Sequence, residues 1–152
     1  MKVESVMNRA VTWVTPTATL ANAAELMAEW DLGALLVLDD RRLVGIVTDR
    51  DLAVRGLAAG LHGSTLVFRV MTKEVVTCTP ETEFSEALRI MAERGIRRIP
   101  VCSGEGELVG IVTLADTARS EEHREASGAL SRICRADGQR CRAEKSPLSS
   151  PK

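Results

Sequence analysis

The sequence is poor in the residues from which metal sites and catalytic centres are usually built. Its only histidines are His62 and His123. The spacings of its four cysteines match neither a zinc site nor a Cys-x-x-Cys redox pair, so we expect reduced thiols and no metal site. No acid–base pair or nucleophile–histidine pair is evident either. The sequence therefore predicts no catalytic residues and does not favour an enzyme.

Long apolar runs and a strong net charge are also missing. No run approaches the roughly 18 to 20 residues that span a bilayer, and the first residues lack the apolar stretch of a signal peptide. The formal net charge of -1 provides no basic field for nucleic acid. These absences predict a cytoplasmic protein that binds neither a membrane nor a nucleic acid. Its 152 residues are enough to bury a core without disulfides.

The chain contains a repeated sequence pattern. Residues 43–48 read LVGIVT, and residues 108–113 read LVGIVT again. Upstream of these segments, identical residues recur at an offset of 64, from the pair Val3 and Val67 to the pair Val37 and Val101. The offset is 65 between the LVGIVT segments, so the second copy has one extra residue in a turn. A long offset that changes only at a turn indicates a duplicated structural unit.

Both copies predict the order strand, helix, strand, strand, helix. In copy one the predicted elements are a strand at residues 11–15 that stops at Pro16, a helix capped by Thr17 or Thr19, a buried strand at 32–38, a four-residue turn at 39–42, a strand at 43–48 and a helix at 51–59. In copy two they are strands at 75–79, 96–102 and 108–113, a helix bearing Phe84 and Met91, and a last helix from about Asp116.

These units predict three regions, with repeat one at residues 1–63, repeat two at 64–122 and a C-terminal region at 123–152. The C-terminal region is expected to hold a short helix near residues 129–134. From about residue 136 the composition is basic and rich in Ser and Pro, which is typical of disorder. We expect this tail to be flexible and dispensable for folding, and either to solubilise the chain or to contact an anionic partner.

Taken together and in order, these pieces resemble the CBS-domain family. In that family, two strand–helix–strand–strand–helix units form an α+β Bateman module with a pseudo-twofold axis. The resemblance covers residues 1 to about 120, and the chain is further similar to stand-alone bacterial two-CBS proteins of the hypoxic response type. The matching segments are VTCTP at 76–80, GIRRIPV at 95–101, LVGIVTLAD at 108–116 and the copy-one equivalent ending in TDRD at 48–51.

The resemblance implies a regulatory module. Many family members hold AMP, ADP, ATP or S-adenosylmethionine between the paired units, so an adenosine ligand that regulates an unidentified partner protein is expected here, with no other cofactor. The carboxylate of Asp51 or Asp116 can accept hydrogen bonds from both ribose hydroxyls. Thr48 or Thr113, at a helix N-terminus, adds a hydroxyl and N–H groups that favour phosphate.

Further residues complete the two implied clefts. Trp13 stands where nucleotide-binding members commonly have the Thr that Thr77 supplies in copy two, and it can stack on a base or simply fill the cleft. Arg98 can contact phosphate or be solvated. One implied cleft joins Asp116, Thr113 and Arg98 to Trp13 and Val47, and the other joins Asp51 and Thr48 to Thr77 and Ile111.

A second interpretation needs no ligand. The sequence Thr-x-x-Asp is also a capping box, in which the two side chains only stabilise a helix start. The chain would then be a ligand-free dimeric interaction scaffold. A homodimer is expected under either interpretation, because family members pair their modules and because two helices have apolar faces, formed by Leu20, Ala23, Ala24 and Met27 and by Phe84, Leu88 and Met91.

Overall fold

The computed structural model describes residues 1–119, 127, 128 and 130–135. Contacts between Cα atoms divide the chain into two compact units. Unit 1 contains residues 1–7, 80–99 and the described residues from 112 onward, and unit 2 contains residues 8–79 and 100–111. No helix within the described ranges is long and apolar enough to cross a membrane. The predicted tail from residue 136 lies outside the described residues.

In copy one the helices and strands follow the predicted order, and the fold is α+β. The strand predicted at 75–79 in copy two is wrong, because only Cys78 pairs there, in a single bridge to Val101. The helices are α1 at Leu20–Glu29, α2 at Asp49–Asp51, which continues as the π-helical segment Leu52–Leu57, and α3 at Phe84–Arg94. The strands are β1 at Trp13–Val14, β2 at Ala34–Asp39, β3 at Arg42–Thr48, β4 at Arg98–Cys102 and β5 at Leu108–Thr113. Short 3-10 helices lie at Val3–Ser5, Val67–Arg69 and Leu114–Arg119, and residues 130–135 are helical.

The β2–β3 turn is tighter than the sequence predicts. Asp39 pairs with Arg42, so only Asp40 and Arg41 form the turn, with φ angles of 46° and 70°. Positive φ at both central residues gives a turn whose twist matches that of the two strands. The four-residue turn predicted at 39–42 is therefore wrong, because the end residues of that segment are already part of the ladder.

In unit 2, a three-stranded sheet supports one face of α1. Strand β1 runs parallel to β2, and β2 runs antiparallel to β3. Thr19 caps α1, as one of the two predicted caps, and its hydroxyl accepts a bond from the Asn22 amide. The apolar residues that form the core of this unit are Val14, Leu20, Ala23, Met27, Leu35, Val37, Val47, Val67, Val70 and Met71.

The last three of those core residues come from the other repeat. They belong to the segment that leads into repeat two, residues 67–72, which we call lead-in 2. Its Val67 amide donates to the carbonyl of Ala18 at 2.7 Å. At its other end Thr72 exchanges two backbone bonds with Ile46 of β3, at 2.8 and 3.0 Å. Lead-in 2 is therefore hydrogen-bonded into repeat one.

The segment that leads into repeat one, residues 3–8, makes the reciprocal contacts, and we call it lead-in 1. In unit 1 the Val3 amide donates to the carbonyl of Thr82 at 2.9 Å. In unit 2, Asn8 exchanges two backbone bonds with Ile111 of β5, at 2.8 and 2.9 Å. These bonds are the counterparts of those made by lead-in 2, so the repeats exchange their lead-in segments and the compact units cut across the repeats.

The apolar helix faces predicted for a dimer interface are mostly used inside the chain. Phe84, Leu88 and Met91 of α3 are buried, as are Leu20, Ala23 and Met27 of α1, while Ala24 is exposed. In unit 1, Ile133 of the helical residues 130–135 is also buried. These faces therefore offer little surface to a second copy, and the homodimer stays a prediction without that support.

The seating of lead-in 2 on β3 depends on a glycine. A Cβ at Gly45 would lie 2.6 Å from the sulfur of Met71 and 3.0 Å from the carbonyl oxygen of Thr72. We expect Gly45→Ala to lower the free energy of unfolding by about 1–3 kcal/mol, because the lead-in must shift to admit the methyl group. Denaturant unfolding of the two proteins measures this difference.

A matched control is Gly104→Ala, since a Cβ at Gly104 would meet no atom within 4 Å. Its stability should stay within about 0.5 kcal/mol of the unchanged chain. Equal stabilities for the two alanine variants would show that lead-in 2 does not pack against β3.

Candidate functional site

Thr48 and Asp51 form a closed capping box at the start of α2. The Asp51 amide donates to Thr48 Oγ1 at 3.1 Å, and the Thr48 amide donates to Asp51 Oδ2 at 2.9 Å. The Thr48 hydroxyl also donates to Oδ2, at 3.0 Å. The Thr-x-x-Asp segment thus stabilises a helix start, as the capping interpretation predicts. All of these bonds to the carboxylate use one oxygen, Oδ2.

Thr113 and Asp116 repeat the arrangement after β5. The Thr113 amide donates to Asp116 Oδ2 at 2.7 Å, and the Thr113 hydroxyl donates to the same oxygen at 2.9 Å. Asp116 is 5% exposed, whereas Asp51 is half-buried. The carboxylate of copy one is therefore the more accessible of the two in this structure.

The second oxygen of Asp51 faces an arginine that the sequence analysis did not single out. Arg55 Nη1 lies 3.8 Å from Asp51 Oδ1, and it donates a long bond of 3.5 Å to the hydroxyl of Thr72. The spacing of four residues along a helix was the available signal, since such residues share a face. Because Arg55 is half-exposed, this ion pair is weak and its guanidinium can contact other anions.

The remaining predicted site residues in unit 2 differ in accessibility. Thr77 is exposed and Ile111 is half-buried. Val47 has no exposed surface and belongs to the core, so its side chain cannot reach a ligand in this structure. Its neighbour Ile46, the repeat counterpart of Ile111, is half-buried instead. Strand alternation explains the difference, because adjacent residues of β3 face opposite sides of the sheet.

Trp13 lies on β1 with half of its surface exposed. Val11 and Thr15 flank this strand in the sequence, and with Trp13 they line a groove of about 520 Å³ in unit 2. Arg9, Arg41 and the first residues of β5 line the other sides of that groove. In unit 1, Arg98 is half-buried at the start of β4. The structure thus joins Thr48 to Asp51 within unit 2 and Thr113 to Asp116 within unit 1. The grouping of the other residues into two clefts stays a prediction.

The two buried cysteines, Cys78 and Cys102, are poor nucleophiles and poor metal ligands. Cys78 and Cys102 are buried on adjacent segments, where the Cys102 amide donates to the Cys78 carbonyl at 2.9 Å. Burial, with a smaller contribution from Cys102, raises the pKa of the Cys78 thiol to about 11. Burial also raises the pKa of Cys102. Both thiols are therefore protonated near neutral pH.

The comparisons with known proteins agree with this fold. The family model described as "CBS domain" matches residues 3–56 and 67–121. The chain therefore belongs to the CBS domain family, with two CBS repeats. The two matched ranges contain the two Thr–Asp pairs and both lead-in segments.

Among similar proteins, hypoxic response protein 1 of Mycobacterium tuberculosis is 44% identical over 116 residues, which cover 75% of this chain and 80% of that protein. The crystal structure of hypoxic response protein I has a TM-score of 0.72 at 42% identity and covers 79% of this chain and 98% of that one. The crystal structure of CBSX2 in complex with AMP has a TM-score of 0.69 at 29% identity and covers 78% of this chain and 94% of that one.

The structure of hypoxic response protein I holds two coordinated zinc ions. In the described part of the present chain, no group of three His, Cys, Asp or Glu side chains could hold a metal ion. The raised pKa of Cys78 also opposes the thiolate form that zinc binds. The described donors therefore do not fit a comparable zinc site.

The burial of the two thiols predicts their reactivity. In the folded chain at pH 8, iodoacetamide should label Cys134, which is exposed, much faster than Cys78 and Cys102. Because the pKa of Cys78 is about 11, its labelling should rise steeply only as the pH approaches that value. Peptide mass spectrometry separates the sites, and labelling in denaturant provides the control. Equal rates at Cys78 and Cys134 in the folded protein would contradict the burial.

Proposed function

We propose that this chain is a regulatory module that binds an adenosine-containing nucleotide between its two CBS repeats. AMP, ADP, ATP and S-adenosylmethionine are the candidate ligands. The observation that carries the proposal is the Asp51 carboxylate, which uses Oδ2 for the helix cap and directs Oδ1 outside it. The AMP complex of CBSX2, a relative with the same fold, supports the ligand class.

The chemistry at Asp51 suits a ribose. A carboxylate oxygen has two lone pairs, so Oδ1 can accept hydrogen bonds from vicinal hydroxyls while Oδ2 keeps the cap. The start of α2 adds the partial positive charge of a helix N-terminus, which favours phosphate. Capping and ligand binding therefore coexist on the same pair of residues.

The other contacts of the proposed clefts follow from accessibility. With Asp51 and Thr48 we group Thr77 and Ile111, and we add Ile46 as an apolar residue that can contact the base. In unit 1 we group Arg98 with Asp116 and Thr113 for contact with phosphate, and in unit 2 we keep Trp13 as a candidate for stacking on a base. Val47 is left out of the proposed contacts, since the residue has no exposed surface.

The competing function is a ligand-free dimeric scaffold. It is favoured by the capping boxes, which satisfy both threonines and one oxygen of each aspartate without any ligand. Large apolar side chains that remain exposed, such as Leu57 at 77% and Trp30 at 61%, provide surface for protein contacts. This function requires that no adenine nucleotide binds saturably.

Ligand binding and stability can be separated at Asp51. Asp51→Asn keeps an oxygen that accepts the cap bonds, so its unfolding free energy should change by about 1 kcal/mol or less. Its affinity for adenosine and AMP should fall by roughly tenfold or more, because a charged acceptor of the ribose hydroxyls is lost. Asp116→Asn should behave in the same way at the second cleft. Titration calorimetry measures affinity, and denaturant unfolding measures stability.

Asp49→Asn is the matched control, because Asp49 is an exposed carboxylate in the same helical turn that bonds only the Arg50 amide among the described contacts. It should leave nucleotide affinity unchanged. Those of the candidate ligands AMP, ADP, ATP and S-adenosylmethionine that bind should also raise the melting temperature of the unmodified chain, since a ligand that binds only the native state stabilises it. No saturable binding at millimolar adenine nucleotide would refute the sensor and leave the scaffold.

We also propose that the chain forms a homodimer that regulates an unidentified partner protein. Family membership supports pairing of modules, and the exposed side chains of Val54, Leu57 and Trp30 are candidates for the contact. At a chain concentration of roughly 20 µM, a dimer with a micromolar Kd is populated. Light scattering at that concentration should therefore give the mass of two chains. A monomer mass at that concentration would contradict the homodimer.

A further inference from the structure

A second groove in unit 2 is lined by several basic side chains. It has a volume of about 580 Å³ and lies along lead-in 2, so we call it the lead-in groove. Arg55 of the π-helical segment reaches it from repeat one, while the other lining residues come from repeat two. The lining side chains that matter here are Arg55, Phe68, Arg69, Thr72, Lys73 and Glu74.

The lead-in groove is cationic. It has three basic side chains, on Arg55, Arg69 and Lys73, and one acidic side chain, on Glu74. Arg69 and Lys73 are exposed, and within the described ranges neither forms an ion pair. Like charges that line one concave surface raise the local concentration of anions. An anion with several charges would relieve the repulsion among these three cations.

One aromatic ring borders the cationic groove. Phe68 is 42% exposed. By contrast, Val67 and Val70 on the same lead-in are fully buried. Exposed aromatic rings beside basic side chains form a common arrangement for binding nucleotides, because the ring stacks on a base while the cations contact phosphates.

The groove is connected to the Asp51 carboxylate through Arg55. The guanidinium lies 3.8 Å from Asp51 Oδ1 and 3.5 Å from Thr72 Oγ1, so it joins the proposed ribose acceptor to the groove. A ribose on Asp51 would place its phosphates within reach of this arginine. Further phosphates of the same ligand would then extend toward Arg69 and Lys73, which line the same groove.

The other repeat lacks these features. At the offset of 64, the positions of Phe68, Arg69 and Lys73 correspond to Glu4, Ser5 and Arg9. Two of the three counterparts thus change from aromatic or basic to acidic or neutral. Among the described residues, the Thr–Asp pair therefore occurs in both repeats, whereas Phe68 and Arg69 have no aromatic or basic counterpart on lead-in 1.

We propose that the lead-in groove binds the phosphates of a nucleoside di- or triphosphate, so that the Asp51 cleft prefers a polyphosphate ligand over a nucleoside. The ribose contact rests on the proposed function, while phosphate binding in the groove stands by itself. Arg69 and Lys73 are the residues that provide this preference, with Arg55 positioned between the ribose and the phosphates.

The test uses the full chain and two probes, inorganic tripolyphosphate and ATP, with adenosine for comparison. Tripolyphosphate should bind at one site per chain, and its affinity should fall as salt is added, since exposed charges are screened. Arg69→Ala and Lys73→Ala should each weaken tripolyphosphate and ATP by roughly tenfold and leave adenosine unchanged. Both residues are exposed, so both variants should fold.

Arg94→Ala is the control, because Arg94 is an exposed cation at the end of α3 and lies outside the lead-in groove and outside the residues grouped in the two proposed clefts. It should bind tripolyphosphate like the unchanged chain. Equal losses in Arg94→Ala and Lys73→Ala, or no tripolyphosphate binding, would overturn the inference. ATP affinity unaffected by the groove variants would overturn it while the proposed function stands. Tripolyphosphate binding that depends on Arg69, without adenosine binding, would support the groove and reject the proposed function.

Discussion

The rest of the structure depends on the exchange of lead-in segments between the repeats. Each lead-in leaves its own repeat and completes the hydrogen bonding of the other, through Val3 with Thr82 and Val67 with Ala18, and through the paired bonds at Ile111 and Ile46. The side chains of lead-in 2 also complete the core of unit 2. A single repeat would leave these backbone groups unpaired and this apolar surface exposed, which is costly. At least two repeats are therefore needed to satisfy both lead-ins.

The same exchange decides what surrounds the Asp51 carboxylate. Thr72 of lead-in 2 lies against Ile46, two residues before Thr48, and its hydroxyl contacts the arginine that faces Asp51. The helix cap holds Asp51 in a fixed orientation whether or not a ligand is present. A carboxylate already oriented by a cap loses little further freedom when it accepts a ribose, so the stabilising contact also prepares the binding contact.

Duplication supplies two similar caps, and later substitutions make their surroundings unequal. Asp116 is almost fully buried, while Asp51 is more accessible and has Arg55 beside it. Lead-in 2 and the residue after it carry Phe68, Arg69 and Lys73, where lead-in 1 and the residue after it carry Glu4, Ser5 and Arg9. A pair of repeats that share one fold can thus present two different chemical environments. The two Thr–Asp pairs are therefore unequal in accessibility although both bond in the same way to their aspartate Oδ2.

The sequence alone determined the duplication, the order of helices and strands apart from the strand expected at 75–79, the cap at Thr48, and the CBS family, and it left Thr17 and Thr19 as alternative caps of α1. These features depend on residues that are close in sequence, where periodicity, capping side chains and proline act directly. Family resemblance supplied the candidate ligand and its contacts, and their grouping into two clefts remains untested. Only the tertiary structure decided that Ile46 rather than Val47 is accessible, and that the helix faces predicted for a dimer interface are mostly internal. It also brought Arg55 beside Thr72 and lead-in 2 onto β3. Such contacts join residues far apart in the chain, and no local pattern encodes which distant segments will satisfy each other.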